Sequence, residues 1–183
     1  MTTEQCISNL KSIAQRDINN PALLRITLQM LDCPKFALAP AASTSQSPHA
    51  HHAYTGGLVQ HTYEVVQQAI GIAYWSLKPV SMEVVVTAAI WHDYMKIKQY
   101  VQDTAGDWVK TPYCKEHYHV AGSYAEFMIA ASKEPQITTQ LVNDIGHCIL
   151  AHHGHNPAWG SPVAPITREA YIIHAADMLS SQY

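Results

Sequence analysis

Apolar residues recur every three or four positions along most of this chain, a spacing that places them on one face of an α-helix. Asn19-Asn20-Pro21 separates the first two periodic segments, because Asn caps helices and Pro suits a first helical turn. Strand signals are few and no internal repeat is visible, so the pattern predicts an all-α bundle of about six to seven helices. The predicted helices cover residues 4–17, 22–31, 56–77, 82–95, 117–132, 136–151 and 166–177.

The same pattern divides the chain into three segments, which we expect to form one globular unit. Residues 1–33 are predicted to be N-terminal helices that pack on the core. Ala, Ser, Thr and Pro dominate residues 34–55, which predicts a loop, and residues 56–183 form the main helical domain. Within that domain, residues 97–114 alternate irregularly around residues 103–107, which is typical of either a loop or a short hairpin with a glycine in its turn.

Two of the predicted helices carry polar residues where burial is expected. The segment from Met82 to Met95 is apolar nearly all round, as in a central buried helix, and it contains His92-Asp93 near its end. His61 lies on the inward stripe of the preceding helix, which consists of Leu58, His61, Val65, Ala69 and Ile72.

The composition is that of one ordinary globular domain. With 183 residues, 48% of them hydrophobic and 14% charged, the chain can bury a core without disulfides. No uncharged run is long enough to span a bilayer, and the first residues lack the features of a secretory signal, so we expect a cytoplasmic protein with no membrane partner. The four cysteines are far apart and form no Cys-x-x-Cys pair, which is typical of buried thiols.

The charge balance restricts the class of substrate. The chain has 11 basic and 14 acidic residues with no Lys/Arg run, so it offers little positive surface for long nucleic acid. A small anionic substrate is therefore favoured. The unusual feature is the number of histidines, 12, because histidine is a common metal ligand.

Asp93 and Asp177 both face the predicted core, where an ionised carboxylate is costly unless it is paired, hydrogen-bonded or bound to a metal. With His61 and His92 they predict a metal site between helices, in preference to satisfied core histidines and a buried hydrogen-bonded pair. Imidazole and carboxylate together suit Mn, Fe, Co, Ni or Zn, so the ion is expected to be a divalent transition metal.

His92 and Asp93 are adjacent, and adjacent residues on a helix diverge by about 100 degrees. They can therefore share a site only if the helix end unwinds or if Asp93 reaches a second ion. Two metals about 3.5–4 Å apart can share an activated hydroxide that attacks a phosphate ester, which would make a bridging Asp93 catalytic. Lys96 could neutralise the charge of the phosphate, or it could be an ordinary solvated lysine at a helix end.

Other histidines are candidates on weaker grounds. His119 at the start of a helix and His152-His153 at the end of another would supply nitrogen ligands for a second metal, or they could be surface histidines. His51 and His52 either border the pocket and contact phosphate or are an ordinary loop pair.

The residues His61, His92-Asp93 and Asp177 resemble the H…HD…D signature of the HD-domain metal-dependent phosphohydrolases, and Lys96 resembles their frequent HDxxK extension. The sequence of residues 50–180 is similar to that of the HD domain of the YhaM-type 3′-to-5′ exoribonucleases. The resemblance implies the HD-domain helical fold and a two-metal phosphodiesterase. It also implies a second metal bound by His119, His152 and His153.

From the residues and the resemblance together we expect a hydrolase that acts on phosphate ester bonds of a nucleotide or a short nucleic acid. One alternative is a regulatory module that binds metal and nucleotide without turnover. Another is a nuclease subunit that needs a partner for nucleic-acid binding, because no segment is long enough for the OB-fold module of the YhaM-type enzymes. Gly160-Ser161-Pro162 departs from the Gly-Tyr-Pro of HD-GYP proteins, which argues against cyclic dinucleotides.

Overall fold

Helices account for most of the chain in the computed structural model, which describes residues 1–44, 50–155 and 160–181. The predicted all-α class is confirmed, and the described part contains seven helices of ten or more residues, beside shorter ones. In chain order the elements are α1 Thr3–Asp17, α2 Pro21–Leu31, α3 Pro34–Leu38, α4 Gly57–Tyr74, α5 Met82–Trp91, α6 Lys96–Gln99, β1 Tyr100–Gln102, β2 Trp108–Lys110, α7 Pro112–Glu116, α8 His119–Ala131, α9 Thr139–Ala151 and α10 Arg168–Ser180.

Side-chain caps determine where several of the helices begin. Thr2 and Gln5 cap α1 reciprocally, each side chain accepting a hydrogen bond from the other's backbone N–H. The Asn20 side chain accepts from the backbone N–H groups of Ala22 and Leu23, at 3.0 and 3.1 Å, while Pro21 occupies the first position of α2. The break predicted between the first two helices therefore has its expected physical cause.

Helix α5 is the centre of the core, as its sequence predicts. Every residue from Val84 to Trp91 is buried, and α1, α4, α9 and α10 pack around it. The indole N–H of Trp91 donates to the hydroxyl of Thr27 at 3.2 Å, which ties α2 to the same core. Burial of apolar surface on all sides of one helix holds the helix ends nearby in fixed positions.

Two helices end earlier than predicted. Helix α5 ends at Trp91 rather than Met95, because the next residues form turns, in which the Tyr94 N–H bonds the Trp91 carbonyl three residues back. Helix α4 ends at Tyr74 rather than at Leu77, and the chain leaves it through a tightened turn in which the Ser76 N–H bonds the Ala73 carbonyl three residues back.

Other differences fall in the segments between the long helices. The predicted loop over 34–55 begins with the short helix α3, whose first residue Pro34 has the backbone angle of a helix start; residues 45–49 of that loop, including His49, lie outside the described part. The helix predicted from residue 117 begins at His119, because Tyr118 has a φ of 59°, which is outside the range of a right-handed helix and separates α8 from α7.

Of the two alternatives for residues 97–114, the short hairpin is present. Strands β1 and β2 pair antiparallel, with Val101 opposite Val109. The Asp103 carboxylate accepts from the N–H groups of Ala105 and Asp107, and Gly106 has φ 89°, which glycine adopts readily. In the parts of the chain that are described, no helix combines the length and apolar character needed to cross a membrane.

We expect Leu10→Ala in α1 to lower the free energy of unfolding by about 2–5 kcal/mol, because Leu10 is fully buried and its loss leaves a cavity. The matched control Leu77→Ala removes a fully exposed side chain and should change stability by less than about 0.5 kcal/mol. Urea denaturation of both variants measures the difference. Equal stabilities would show that α1 is not part of the core.

Candidate metal centre

The predicted ligands converge where several helix ends meet beside α5. His61 comes from the first half of α4, His92 directly follows α5, and Asp93 lies in the turn after it. The remaining residues are His119 at the first position of α8, His152 and His153 just after α9, and Asp177 near the end of α10. Residues far apart in sequence are thus brought to one buried point.

The first cluster consists of His61, His92, Asp93 and Asp177, with one ligand atom of each within 4.8 Å of the others. His61 Nε2 lies 3.2 Å from Asp93 Oδ2 and 3.2 Å from Asp177 Oδ1. His92 Nε2 lies 3.4 and 3.8 Å from the same two oxygens. Two imidazoles and two carboxylates therefore face a common space.

The second cluster consists of Asp93, His119, His152 and His153, again with ligand atoms within 4.8 Å of one another. His119 Nε2 and His152 Nε2 lie 3.1 and 3.5 Å from Asp93 Oδ1. His153 Nε2 lies 4.0 Å from Asp177 Oδ2. This cluster has three imidazoles and shares one carboxylate with the first.

Asp93 faces both clusters, one oxygen to each. Its Oδ2 faces His61 and His92, and its Oδ1 faces His119 and His152. This geometry depends on the early end of α5, because Asp93 lies in a turn rather than on the helix face about 100 degrees from His92. The first of the two solutions considered for the adjacent pair is therefore present, because the helix ends before Asp93, and the carboxylate of Asp93 points to both clusters.

The buried atoms of the second cluster fit a bound cation. Among the described residues, Asp93 Oδ1, His119 Nε2 and His152 Nε2 are buried without a hydrogen-bond partner, although the two nitrogens lie only 3.1 and 3.5 Å from the oxygen. Buried acceptors without partners are costly and uncommon. A divalent transition metal would satisfy all three, since imidazole nitrogen and carboxylate oxygen are its usual ligands.

The hydrogen bond made by Nδ1 of a histidine ring determines whether its Nε2 can bind metal. His92 Nδ1 donates to the Ala89 carbonyl and His152 Nδ1 donates to the Ile149 carbonyl, both at 2.7 Å. Because a carbonyl can only accept, the neutral ring has its proton on Nδ1 and its lone pair on Nε2, which faces the clusters.

Side-chain groups support the remaining two rings in the same way. His119 Nδ1 donates to Gln99 Oε1 at 2.9 Å, and His61 Nδ1 donates to Ser180 Oγ at 3.0 Å. Sequence reasoning missed Gln99 and Ser180. The one available signal for Ser180 is its position three residues after Asp177, which places it on the same face of α10.

Charges inside the site affect the ligands unequally. Lys96 Nζ lies 2.6 Å from Asp93 Oδ2; burial lowers the pKa of Lys96, but the Asp93 carboxylate raises it more, so the lysine stays charged. Burial lowers the pKa of His119 to about 4 and that of His153 to about 2, which keeps both in the neutral form that binds metal. Burial also lowers the pKa of His61, but Asp177 and Asp93 raise it above its ordinary value, so protons compete with metal there.

The two loop histidines differ in their surroundings. The ring of His51 lies 5.3 Å from the ring of His61, centroid to centroid. His52 Nε2 donates to Glu64 at 2.9 Å and His52 Nδ1 accepts from the Tyr54 hydroxyl at 3.0 Å. Both ring nitrogens of His52 therefore have protein partners, and the phosphate contact that the sequence suggests would have to replace one of them.

The site opens towards His153 and Asp177, whose side chains are 15% and 10% exposed, whereas those of His61 and His92 are fully buried. Tyr118 borders this opening, with its ring 4.4 Å from the ring of His119 and 6.3 Å from that of His153. Its φ of 59° is rare for a bulky residue, and nothing in the sequence signals it. The ring occupies space that a Cβ at Gly160 would need.

Comparison with known proteins agrees with this geometry. A family model described as HD domain matches residues 58–182. The 3′-5′ exoribonuclease YhaM of Bacillus licheniformis is 31% identical over 172 residues, covering 91% of this chain and 50% of that protein. The proteins of the same name from Bacillus subtilis and Oceanobacillus iheyensis are 31% and 28% identical with the same coverage. The chain spans about half the length of these relatives, and no solved structure matches it.

We expect Asp93→Asn to reduce the bound metal of both clusters, because the amide NH₂ replaces one of the two oxygens and removes the negative charge. The control Asp107→Asn changes an exposed carboxylate in the hairpin turn and should retain the metal content of the original protein. Elemental analysis after dialysis against Mn²⁺ measures both. Equal metal content in the two variants would contradict the ligand role of Asp93.

Proposed function

The chain belongs to the HD domain family, and on that premise we propose that it is a metal-dependent hydrolase of phosphate esters. The observation that carries the proposal is the Asp93 carboxylate, whose two oxygens face separate clusters of imidazoles. A carboxylate between two metal positions is an arrangement that supports in-line hydrolysis of phosphate esters. The ions are expected to be two divalent transition metals, of the set Mn, Fe, Co, Ni and Zn.

In this proposal the residues of the two clusters hold the ions. The first position would be held by His61, His92, Asp93 and Asp177, and the second by Asp93, His119, His152 and His153. When bound, the two ions supply Lewis acidity, which polarises a phosphoryl oxygen and lowers the pKa of water at the site. The protein contributes by fixing the Nε2 atoms of His92, His119 and His152 inward, through acceptors on each Nδ1, and by excluding bulk water from buried side chains.

Lys96 would balance the negative charge that develops on the phosphoryl group. Its ammonium contacts Asp93 and is buried, so its charge is not screened by bulk solvent. A cation fixed in a site with little water stabilises an anionic transition state without rearranging. This role adds to its ion pair with Asp93.

The substrate phosphate would enter between His153, Asp177 and Tyr118, where the ligand side chains reach the surface. The Tyr118 ring lies beside this opening, next to the rings of His119 and His153, where its hydroxyl would be a donor to a substrate oxygen. Tyr118 is thus a proposed substrate contact in addition to Lys96, His51 and His52, and His52 would have to give up one of its present partners to bind phosphate.

The proposed substrate is a phosphodiester of a nucleotide or a short RNA. The relatives named as 3′-5′ exoribonucleases support RNA, whereas the net charge of −3 without a basic run supports short rather than long strands. Degradation of long RNA would then need positive surface from a partner, which is the second candidate function that the charge favours.

We expect the Mn²⁺-loaded protein to hydrolyse bis(p-nitrophenyl) phosphate, and Lys96→Met to lower kcat roughly 10²–10³-fold by removing the buried cation. Lys98→Met is the matched control, because Lys98 lies two residues away, is half exposed and pairs with Glu126. The metal content of each variant is measured alongside, so that lost metal is separated from lost charge stabilisation. Unchanged kcat in metal-loaded Lys96→Met would rule out the proposed role.

We also expect 5′-labelled single-stranded RNA of about ten nucleotides to be shortened from its 3′ end by the same preparation, and long RNA to be degraded poorly at physiological salt. Gel analysis of the products distinguishes stepwise shortening from internal cleavage. Hydrolysis of the generic diester with no shortening of RNA would restrict the substrate to small phosphate esters.

A further inference from the structure

We infer that Glu64, acting through Ser180, is a positioning residue for His61 and makes the first cluster the tighter of the two metal positions. The inference rests on the two-metal site of the proposed function, and it concerns residues outside both clusters. Glu64 lies three residues after His61 on α4, and Ser180 lies three residues after Asp177 on α10. Each of these two helices therefore supplies one ligand and one supporting residue on the same face.

The hydrogen bonds between these residues have a defined direction. The Glu64 carboxylate can only accept, so the Ser180 hydroxyl donates to its Oε2 at 2.9 Å. The Ser180 oxygen is then the acceptor for His61 Nδ1–H at 3.0 Å. His61 is thereby held with Nε2 towards Asp93 and Asp177, each 3.2 Å away.

Glu64 is itself fixed by further donors. Its Oε2 accepts from His52 Nε2 at 2.9 Å and its Oε1 accepts from Gln60 Nε2 at 3.2 Å. The Tyr54 hydroxyl donates to the other nitrogen of His52, which extends the network towards the surface. A carboxylate with three donors on it has a fixed position and retains its charge in a partly buried place.

Two rings of the second cluster, those of His119 and His152, have weaker support. A neutral amide oxygen of Gln99 accepts from His119, and a backbone carbonyl of Ile149 accepts from His152. A carboxylate behind a ligating histidine, even through a hydroxyl, makes the metal-facing nitrogen more basic than a neutral acceptor does. Of the rings of His61, His92, His119 and His152, only that of His61 has a hydroxyl and a carboxylate in series behind it.

The charges of the ligands act in the same direction. The first cluster has the carboxylates of Asp93 and Asp177, whereas the second has three imidazoles and only the other oxygen of Asp93. Lys96 offsets part of the charge at Asp93 Oδ2, but Asp177 Oδ1 stays 3.2 Å from His61 Nε2. The first position therefore has the greater net attraction for a dication.

The test is a titration of the metal-free protein with Mn²⁺. Binding is monitored by calorimetry and by the electron paramagnetic resonance signal of free Mn²⁺. Two steps of unequal affinity are expected for the original sequence. Ser180→Ala and the milder Glu64→Gln should weaken the tight step about 10–100-fold and leave the weak step unchanged. Gln99→Met is the matched variant, and it should weaken the other step, because Gln99 supports His119.

The free energy of unfolding of each metal-free variant is measured as well. It distinguishes a role in positioning His61 from a role only in packing α4 against α10. A packing role alone would lower the stability of metal-free Ser180→Ala and Glu64→Gln without changing the affinity of the tight step, and this result would overturn the inference. Equal weakening of both steps would also overturn it. If the unmodified protein hydrolyses diesters and the two variants bind the first Mn²⁺ as tightly as it does, the inference fails and the proposed function stands. If the unmodified protein binds no Mn²⁺, the inference and the proposed function both fail.

Discussion

The buried carboxylate of Asp93 is the constraint on which the rest of this structure depends. An ionised carboxylate without compensation is too costly to bury, and here it is surrounded by four imidazole rings and one ammonium group. Those groups come from four parts of the sequence: α4, the segment after α5, the start of α8 and the end of α9. Their convergence requires the ends of α5, α8 and α9 and one face of α4 to meet at one point.

The apolar character of α5 makes this convergence possible. Because it is buried on every side, α5 cannot rotate or slide without exposing apolar surface, and its end is therefore a fixed position. The chain turns directly after Trp91, which lets His92 face one cluster while Asp93 faces both. Hydrophobic packing thus fixes the positions of the helix ends, and these positions bring the polar side chains of the two clusters together.

The support behind the ligands differs from one ring to the next, and this difference matters for function. Backbone carbonyls within the same chain segment support His92 and His152, which makes their orientation a consequence of local helix geometry. His61 and His119 depend on side chains from other elements, Ser180 and Gln99. We therefore expect substitutions that are distant in sequence from the ring they support to alter one cluster and leave the other unchanged.

Much of the fold and the central residues of the site could be predicted from the sequence, because helical periodicity is local. The spacing of Leu58, His61 and Val65 predicts that His61 faces inward, and the structure places all three in the core. The apolar run before His92-Asp93 likewise predicts a buried helix that ends near a polar pair. Tertiary structure decided the rest: Glu64 and Ser180 are 116 positions apart, His52 is held by Glu64, and Tyr118 adopts a backbone angle with no local signal. Periodicity reports which face of a helix is buried, whereas a hydrogen bond between two helices depends on their rotation and register, which only the packing of the whole core determines.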